Sequence, residues 1–201
     1  MNKPLTSLIP FNPEVVLNAY CNAFFPMGET DSNEIKWFRP DPRAIISLET
    51  FHIPVSLKKL MRKTKYCVKI NTDFKRVITL CKKRAEGSWI TKDIIELYYE
   101  IHKLGYAHSL EIYQNNALQG GLYGISINGA FFGESMFTLK SNFSKIALCE
   151  LVSRMKIRKM SLLDVQFSNP HLTQFNLSLI SDKQYYALLQ KALALNVNFL
   201  S

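Results

Sequence analysis

The chain has 201 residues, of which 47% are hydrophobic, 20% charged and 12% aromatic, a balance that supports one substantial core and excludes a disordered or low-complexity protein. Its formal net charge of +9 is concentrated between Ile53 and Arg84, where eleven Lys or Arg meet the single acid Asp73, a local +10 that leaves −1 for the rest. No window holds the run of about eighteen apolar residues that a membrane span requires, and prolines interrupt "MNKPLTSLIPFNPEVV" before a signal-like stretch develops, which points to the cytoplasm and no membrane.

In chain order, "FNPEVVLNAYCNAFFP" reads as a helix capped by Asn12, with Pro13 in its first turn and Pro26 at its end. "IKWFRPDPRAIISL" reads as two short extended pieces about a Pro-Asp-Pro corner. Helices over about 55–64 and 73–84 flank a strand at "YCVKI", and "TKDIIELYYEIHKLG" is a helix from a Thr91 cap to Gly105. "AHSLEIY", "LQGGLYGISI" and "GAFFGESMF" are strands, the last two joined at "NG", a hairpin signal. Residues 143–157 return to helix, with Ala147, Leu148, Leu151, Val152 and Met155 on one face, then "SLLDVQ" is a strand and a last helix covers about 183–194. This order implies an α+β fold with a mixed sheet.

Cys21, Cys67, Cys81 and Cys149 form no CxxC and the four histidines no HxxxH, so neither a zinc site nor a disulfide framework is expected, and the cysteines read as buried free thiols. The glycines of "GGLYG" lie within a strand pattern, which suggests a bulge or a close backbone approach and not a phosphate loop. His108 and Glu111 fall on opposite strand faces and read as structural. The basic segment suits either a polyanion or a solvated helix face, and Arg154, Lys156, Arg158 and Lys159 could extend the same surface. Asp164 and Gln166, two apart in the apolar run "LLDVQFSNPHL", share a strand face. Alone, they suit backbone satisfaction near a strand end as well as chemistry. Alternation likewise puts Glu134 and Met136 of "GESMF" on one face and Gly133, Ser135 and Phe137 on the other.

Together, "FFPMG", "WFRPDPRAII", "FHIPVSLKK", "GSWITKDIIELYYEIHKLGYAHSLEIY", "GGLYGISINGAFFGESMFT", "SKIAL" and "LLDVQFSNPHL" resemble, in order and spacing, the leucyl/phenylalanyl-tRNA-protein transferase family. The resemblance implies a GNAT-like acyltransferase domain over 43–201, with a mixed, largely antiparallel sheet, beside a small N-terminal domain over 1–42. It implies transfer of Leu or Phe from Leu-tRNA or Phe-tRNA to the N-terminal amine of a protein or peptide beginning with Arg or Lys, which creates a degradation signal. The enzyme would work as a monomer.

An aminoacyl ester is already activated, so amide formation needs placement, a neutral amine and a site for the oxyanion, with no metal and no cofactor. By the resemblance, Asp164 orients Gln166, whose amide carbonyl draws on the attacking amine. Leu122, Met136, Leu148, Leu151, Met155 and Leu163 would line the pocket for the donor side chain, with Glu134 beside them. Trp89 would stack on the terminal adenosine, and a second position that can be Trp in the family is Met27 here. Lys58, Lys59, Arg62, Lys63, Lys65, Arg76, Lys82, Lys83 and Arg84 would hold the tRNA. A sister enzyme that leucylates acidic N-termini and a non-catalytic RNA-binding protein stay open as alternatives. An acetyl-CoA enzyme would need an R/Q-x-x-G-x-G/A turn before a helix, and the chain has no such pattern.

Overall fold

The computed structural model describes residues 11–29, 34–83 and 88–200. Helix α1 (Pro13–Cys21) opens as its residues dictate: the Asn12 side chain accepts the Val15 amide at 3.0 Å, and Pro13 occupies the first turn, where a missing N–H costs nothing. It does not run to Pro26. The Asn22 amide closes the helix on the Asn18 and Ala19 carbonyls, and Ala23 turns the chain at φ 70°. Residues Phe25–Gly28 are then strand β1, antiparallel to β2 (Ile35–Phe38) in a two-stranded sheet of their own.

The main sheet has seven strands in the order β4-β5-β6-β7-β8-β3-β9. They are β3 (Arg43–Ile46), β4 (Cys67–Ile70), β5 (Ala107–Gln114), β6 (Ala117–Ile127), β7 (Ala130–Thr138), β8 (Leu162–Gln166) and β9 (Leu177–Ile180). Every neighbouring pair is antiparallel except β7 with β8, so the sheet is mixed, as the element order implied, and largely antiparallel, as the resemblance implied. Strand β9 and the short helix α6 (Pro170–Thr173) carry no strong sequence signal and add to the expected set.

Each face of the sheet buries its own core. On one side Tyr20 of α1, Phe74 and Val77 of α3 (Phe74–Lys82), Tyr98 of α4 (Lys92–Lys103) and Tyr185 of α7 (Asp182–Leu193) pack together. On the other, Leu57 of α2 (Val55–Lys63) joins Ile146, Leu151 and Met155 of α5 (Phe143–Ile157). Consecutive helices α2 and α3 therefore lie on opposite faces, with edge strand β4 between them. Cys81 and Cys149 are buried, but Cys67 on that edge strand is exposed and Cys21 half-buried, which corrects the reading of four buried thiols.

One break in the regularity positions the site. Parallel pairing of β7 with β8 covers only Ala130–Phe132 against Leu162–Asp164. Beyond it, the β6–β7 register slips: Tyr123 faces Ser135 and Gly124 faces Gly133, leaving Glu134 as an extra residue. Gly124 permits this slip, since a Cβ there would collide with the Phe132 carbonyl oxygen. On the other strand, Ala44 pairs with Gln166 and Ile45 with Asp164, so Val165 is extra, and Gln166 follows at φ 57°. The two strands part at these paired bulges.

Candidate active site

The gap opens into a cavity of about 690 Å³, within the range that encloses a small molecule or a side chain with its neighbours. Nine of the residues singled out from the sequence meet there. Leu122, Met136, Leu148, Leu151 and Leu163 supply an apolar wall, and Glu134 and Gln166 supply polar groups. Trp89 and Met27 complete the set from outside the main sheet. The Gly28 amide donates to the Trp89 carbonyl at 3.1 Å, which ties β1 to the loop carrying Trp89. A Cβ on Gly28 would lie 2.7 Å from that oxygen, so the approach requires glycine.

Met155 is not part of the lining. It is fully buried one helical turn beyond Leu151, on the same stripe of α5 but farther from the cavity, and it belongs to the core. The bulge also overturns the alternation in "GESMF". Glu134 reaches the phenols of Tyr20 and Tyr98 on the α1/α4 side, whereas Met136 packs against the opposite core, so the two are not on one strand face.

Asp164 lies beneath the cavity with none of its surface exposed. Its Oδ1 accepts from Arg43 Nε at 3.0 Å and its Oδ2 from Arg43 Nη2 at 2.7 Å, and Arg43 is itself only 1% exposed. The Tyr185 hydroxyl donates to Oδ2 at 2.7 Å. Asp164 touches Gln166 through the backbone: the Gln166 N–H donates to Oδ1 at 2.9 Å and fixes the residue in its left-handed conformation. Side-chain contact between the pair, expected from strand geometry, is replaced by this bond because Val165 is inserted as a bulge. Burial alone would weaken the hold of Arg43 on its proton, but the Asp164 carboxylate outweighs it and keeps the guanidinium above its ordinary value. Arg43 also donates to the Ala23 carbonyl at 3.1 Å, so the turn after α1 is anchored to the same pair.

Glu134 takes the Tyr20 hydroxyl at 2.7 Å and Gln166 Nε2 at 3.2 Å on Oε1, and the Tyr98 hydroxyl at 3.2 Å on Oε2. The Tyr20 and Tyr98 hydroxyls are 2.5 Å apart. Burial pushes the Glu134 carboxyl up to about 8; the two phenols and Arg43 act against the shift, and the Asp164 charge adds to it. Burial, then the Glu134 charge, holds both phenols well above the usual tyrosine range.

Sequence reasoning missed Arg43, Tyr20, Tyr98 and Tyr185. A signal for the first was present: "PDPRAII" places a lone cation at the head of an apolar strand, as "LLDVQ" places a lone acid, and two such charges must find each other if both are buried. The tyrosines look like ordinary core residues at helical spacing.

The basic residues lie apart from the cavity lining. Lys58, Lys59, Arg62 and Lys63 on α2, Lys65 after it, Arg76 and Lys82 on α3 and Lys83 after it are all exposed. Because α2 and α3 cover opposite faces, these charges wrap around the β4 edge and do not form one helix face. Arg84 lies outside the described residues.

Residues 45–190 match the family model described as leucyl/phenylalanyl-tRNA protein transferase, and residues 10–41 match the model of that family's N-terminal domain. The chain belongs to this family. It is 42% identical over 192 residues to the leucyl/phenylalanyl-tRNA–protein transferase of Gloeobacter violaceus, covering 96% of this chain and 99% of that protein. The Salinibacter ruber transferase is 43% identical over 90% of this chain and 80% of its own length. Among solved structures, L-PGS from Bacillus licheniformis is similar at 13% identity and a TM-score of 0.44, over 78% of this chain and 51% of that one, about half its length. An aminoacyltransferase family thus accounts for a chain whose site brings together Trp89, an apolar wall and two acids bonded to the amides of Gln166. Among the described residues, no helix is long and apolar enough to cross a membrane.

Proposed function

We propose that this chain transfers Leu or Phe from aminoacyl-tRNA to the N-terminal amine of a protein that begins with Arg or Lys, forming a peptide bond. The observation that carries this reading is the cavity of about 690 Å³, in which the family's motifs converge from five separate stretches of chain. In it, Leu122, Met136, Leu148, Leu151 and Leu163 receive the donor side chain. One methylene is worth only about 1–3 kcal/mol in such a wall, so Leu and Phe are both admitted while polar side chains are refused. Trp89 stacks on the terminal adenosine with the Met27 thioether against its other side.

Gln166 positions the acceptor amine. Its Nε2 is bonded to Glu134, which turns its carbonyl oxygen away from that carboxyl and toward the incoming nitrogen. Asp164 acts from below, setting the backbone of Gln166 while Arg43 neutralises it. Among the described residues that line the cavity, Glu134 is the one acid, and its carboxyl offers acceptor oxygens to a cationic N-terminal residue. The lysines and arginines of α2 and α3 hold the tRNA by its phosphates.

The two family matches meet near residues 41 to 45, which supports reading 1–42 as a small N-terminal domain and 43–201 as the transferase domain. We take the enzyme to work as a monomer and, with a donor drawn from translation, in the cytoplasm.

Purified protein incubated with tRNA carrying labelled Leu should label a peptide beginning with Arg and leave one beginning with Asp unlabelled; Asp164→Ala should abolish the transfer. Label on the Asp peptide would assign the chain to the sister specificity. Tight tRNA binding without transfer to either peptide would favour an RNA-binding protein.

A further inference from the structure

The proposed reaction moves one proton: the amine nitrogen loses it as the amide forms, and the ribose oxygen gains one as the ester bond breaks. Asp164 is badly placed to carry it. Both its oxygens are occupied, by Arg43 Nε and Nη2, the Tyr185 hydroxyl and the Gln166 amide, and accepting a proton would dismantle a buried ion pair. Glu134 differs on each point: it faces the cavity in part, touches the amine-positioning Gln166, and bonds only neutral groups.

We propose that Glu134 accepts the proton of the attacking amine and returns it to the leaving ribose oxygen, held in place by the hydroxyls of Tyr20 and Tyr98. This inference rests on the transferase reading. The amine lone pair attacks the ester carbonyl carbon and the C–N bond forms, while the N–H proton passes to the Glu134 carboxylate. When the C–O bond to the ribose breaks, its electron pair stays on the ribose oxygen, which takes the proton from Glu134. The exchange balances with no further reactant.

The tyrosine pair suits this task. Glu134, Tyr20 and Tyr98 form a triangle with edges of 2.5, 2.7 and 3.2 Å. With Glu134 ionised, two phenol protons serve three contacts. With Glu134 protonated, each hydroxyl donates to the next around the ring, so both states are accommodated without moving a heavy atom. Tyr20 comes from α1 and Tyr98 from α4, so the N-terminal helix supplies one member of the trio.

The groups facing the carboxyl from the packed elements are Tyr20, Tyr98, Arg43 of β3 and Asp164 of β8; Tyr123, Lys145 and His171 share the cavity wall. Burial pushes the carboxyl up to about 8, which makes its ionised form a stronger base than an ordinary glutamate toward the N–H that attack renders acidic.

The test measures single-turnover transfer to an Arg-initial peptide from about pH 6 to about pH 9.5, with tRNA binding measured in parallel. Glu134→Gln should slow transfer about 100- to 10,000-fold and lose the enzyme's own pH limb, keeping that of the peptide amine, while tRNA binding holds within about two-fold. Tyr20→Phe removes a hydrogen bond that favours the ionised carboxyl and should move the limb upward by about one pH unit, a shift that a merely structural residue would not produce. A Glu134→Gln enzyme with the parent's maximal rate and only a raised KM would make Glu134 a binding residue and overturn the proposal. Should that variant fail to fold, an unmoved limb in both Tyr20→Phe and Tyr98→Phe would overturn it equally. Absence of transfer by the parent protein to any peptide would instead refute the transferase reading, and this inference with it.

Discussion

Arg43→Met removes a cation that is 1% exposed and strands an Asp164 carboxylate that is fully buried. Four hydrogen bonds go: those to Asp164 at 3.0 and 2.7 Å, that to the Ala23 carbonyl at 3.1 Å and that to the Tyr185 hydroxyl at 3.4 Å. The Tyr185 hydroxyl and the Gln166 amide, at 2.7 and 2.9 Å, still serve the carboxylate, so it keeps two of its four donors. Breaking a buried pair from one side costs about 3–5 kcal/mol. For a chain of this size each kcal/mol lowers Tm by about 2–4 °C, giving a fall of about 6–20 °C. Arg43→Met/Asp164→Leu should recover part of that loss, because two apolar side chains leave no unpaired charge; recovery stays incomplete since Tyr185 and Gln166 lose their acceptor. Thermal and urea unfolding of the parent, both single variants and the double variant give the coupling directly, expected above about 2 kcal/mol. A single variant within about 1 kcal/mol of the parent, or a double variant whose losses simply add, would refute the view that this pair holds the site together.

Glu134 should make stability fall with rising pH. Its native carboxyl, at about 8, holds a proton that the unfolded chain releases near pH 4.3, so stability drops across that window by at most about 1.4 kcal/mol per pH unit. Urea midpoints at about pH 5 and about pH 7.5 should differ less in Glu134→Gln than in the parent; an equal difference would mean that the carboxyl does not titrate there. Met155→Ala should cost about 2–5 kcal/mol of stability and leave the Leu-to-Phe preference unchanged, whereas Met136→Ala should alter that preference in competition assays. Replacing Lys58, Lys59, Arg62 and Lys63 by Ala should weaken tRNA binding and flatten the slope of log affinity against log salt by about 0.7–0.9 for each phosphate no longer neutralised, with the kcat for a bound donor little changed.

The regular elements were legible because their signals are local. Helix α5 runs Phe143–Ile157 as its apolar stripe predicted, and the Asn128-Gly129 hairpin joins β6 to β7. Where the outcome depended on distant contacts, local signals failed. The stop of α1 at Cys21 uses Ala23 in a left-handed turn, a residue with no preference for that conformation, fixed there in part by Arg43 from β3. The Met155 error has the same origin: periodicity identifies the buried stripe of a helix but not how far along it a cavity extends. Alternation misplaced Glu134 because a bulge leaves no mark in sequence beyond a glycine on the facing strand, here Gly124.

Those failures share a cause with the proposed chemistry. A parallel strand pair in register has no room between its backbones for a substrate, so a site at β7 and β8 requires the strands to separate. Each bulge adds one residue to one strand, bends it, and reverses the face of the residues beyond it. On β7 this turns Glu134 toward the tyrosines while Met136 stays with the apolar wall, so one strand serves both the charged and the greasy part of the cavity. On β8 it separates the side chains of Asp164 and Gln166, burying the first against Arg43 and projecting the second into the cavity. A strictly alternating "GESMF" and "LLDVQ" would have buried a second carboxylate without a partner or exposed the wall to water. The departures from regular strand geometry therefore stand at two of the motifs that carry the family resemblance, and the cost of Gln166 at φ 57° is borne by the Asp164 hydrogen bond that holds it.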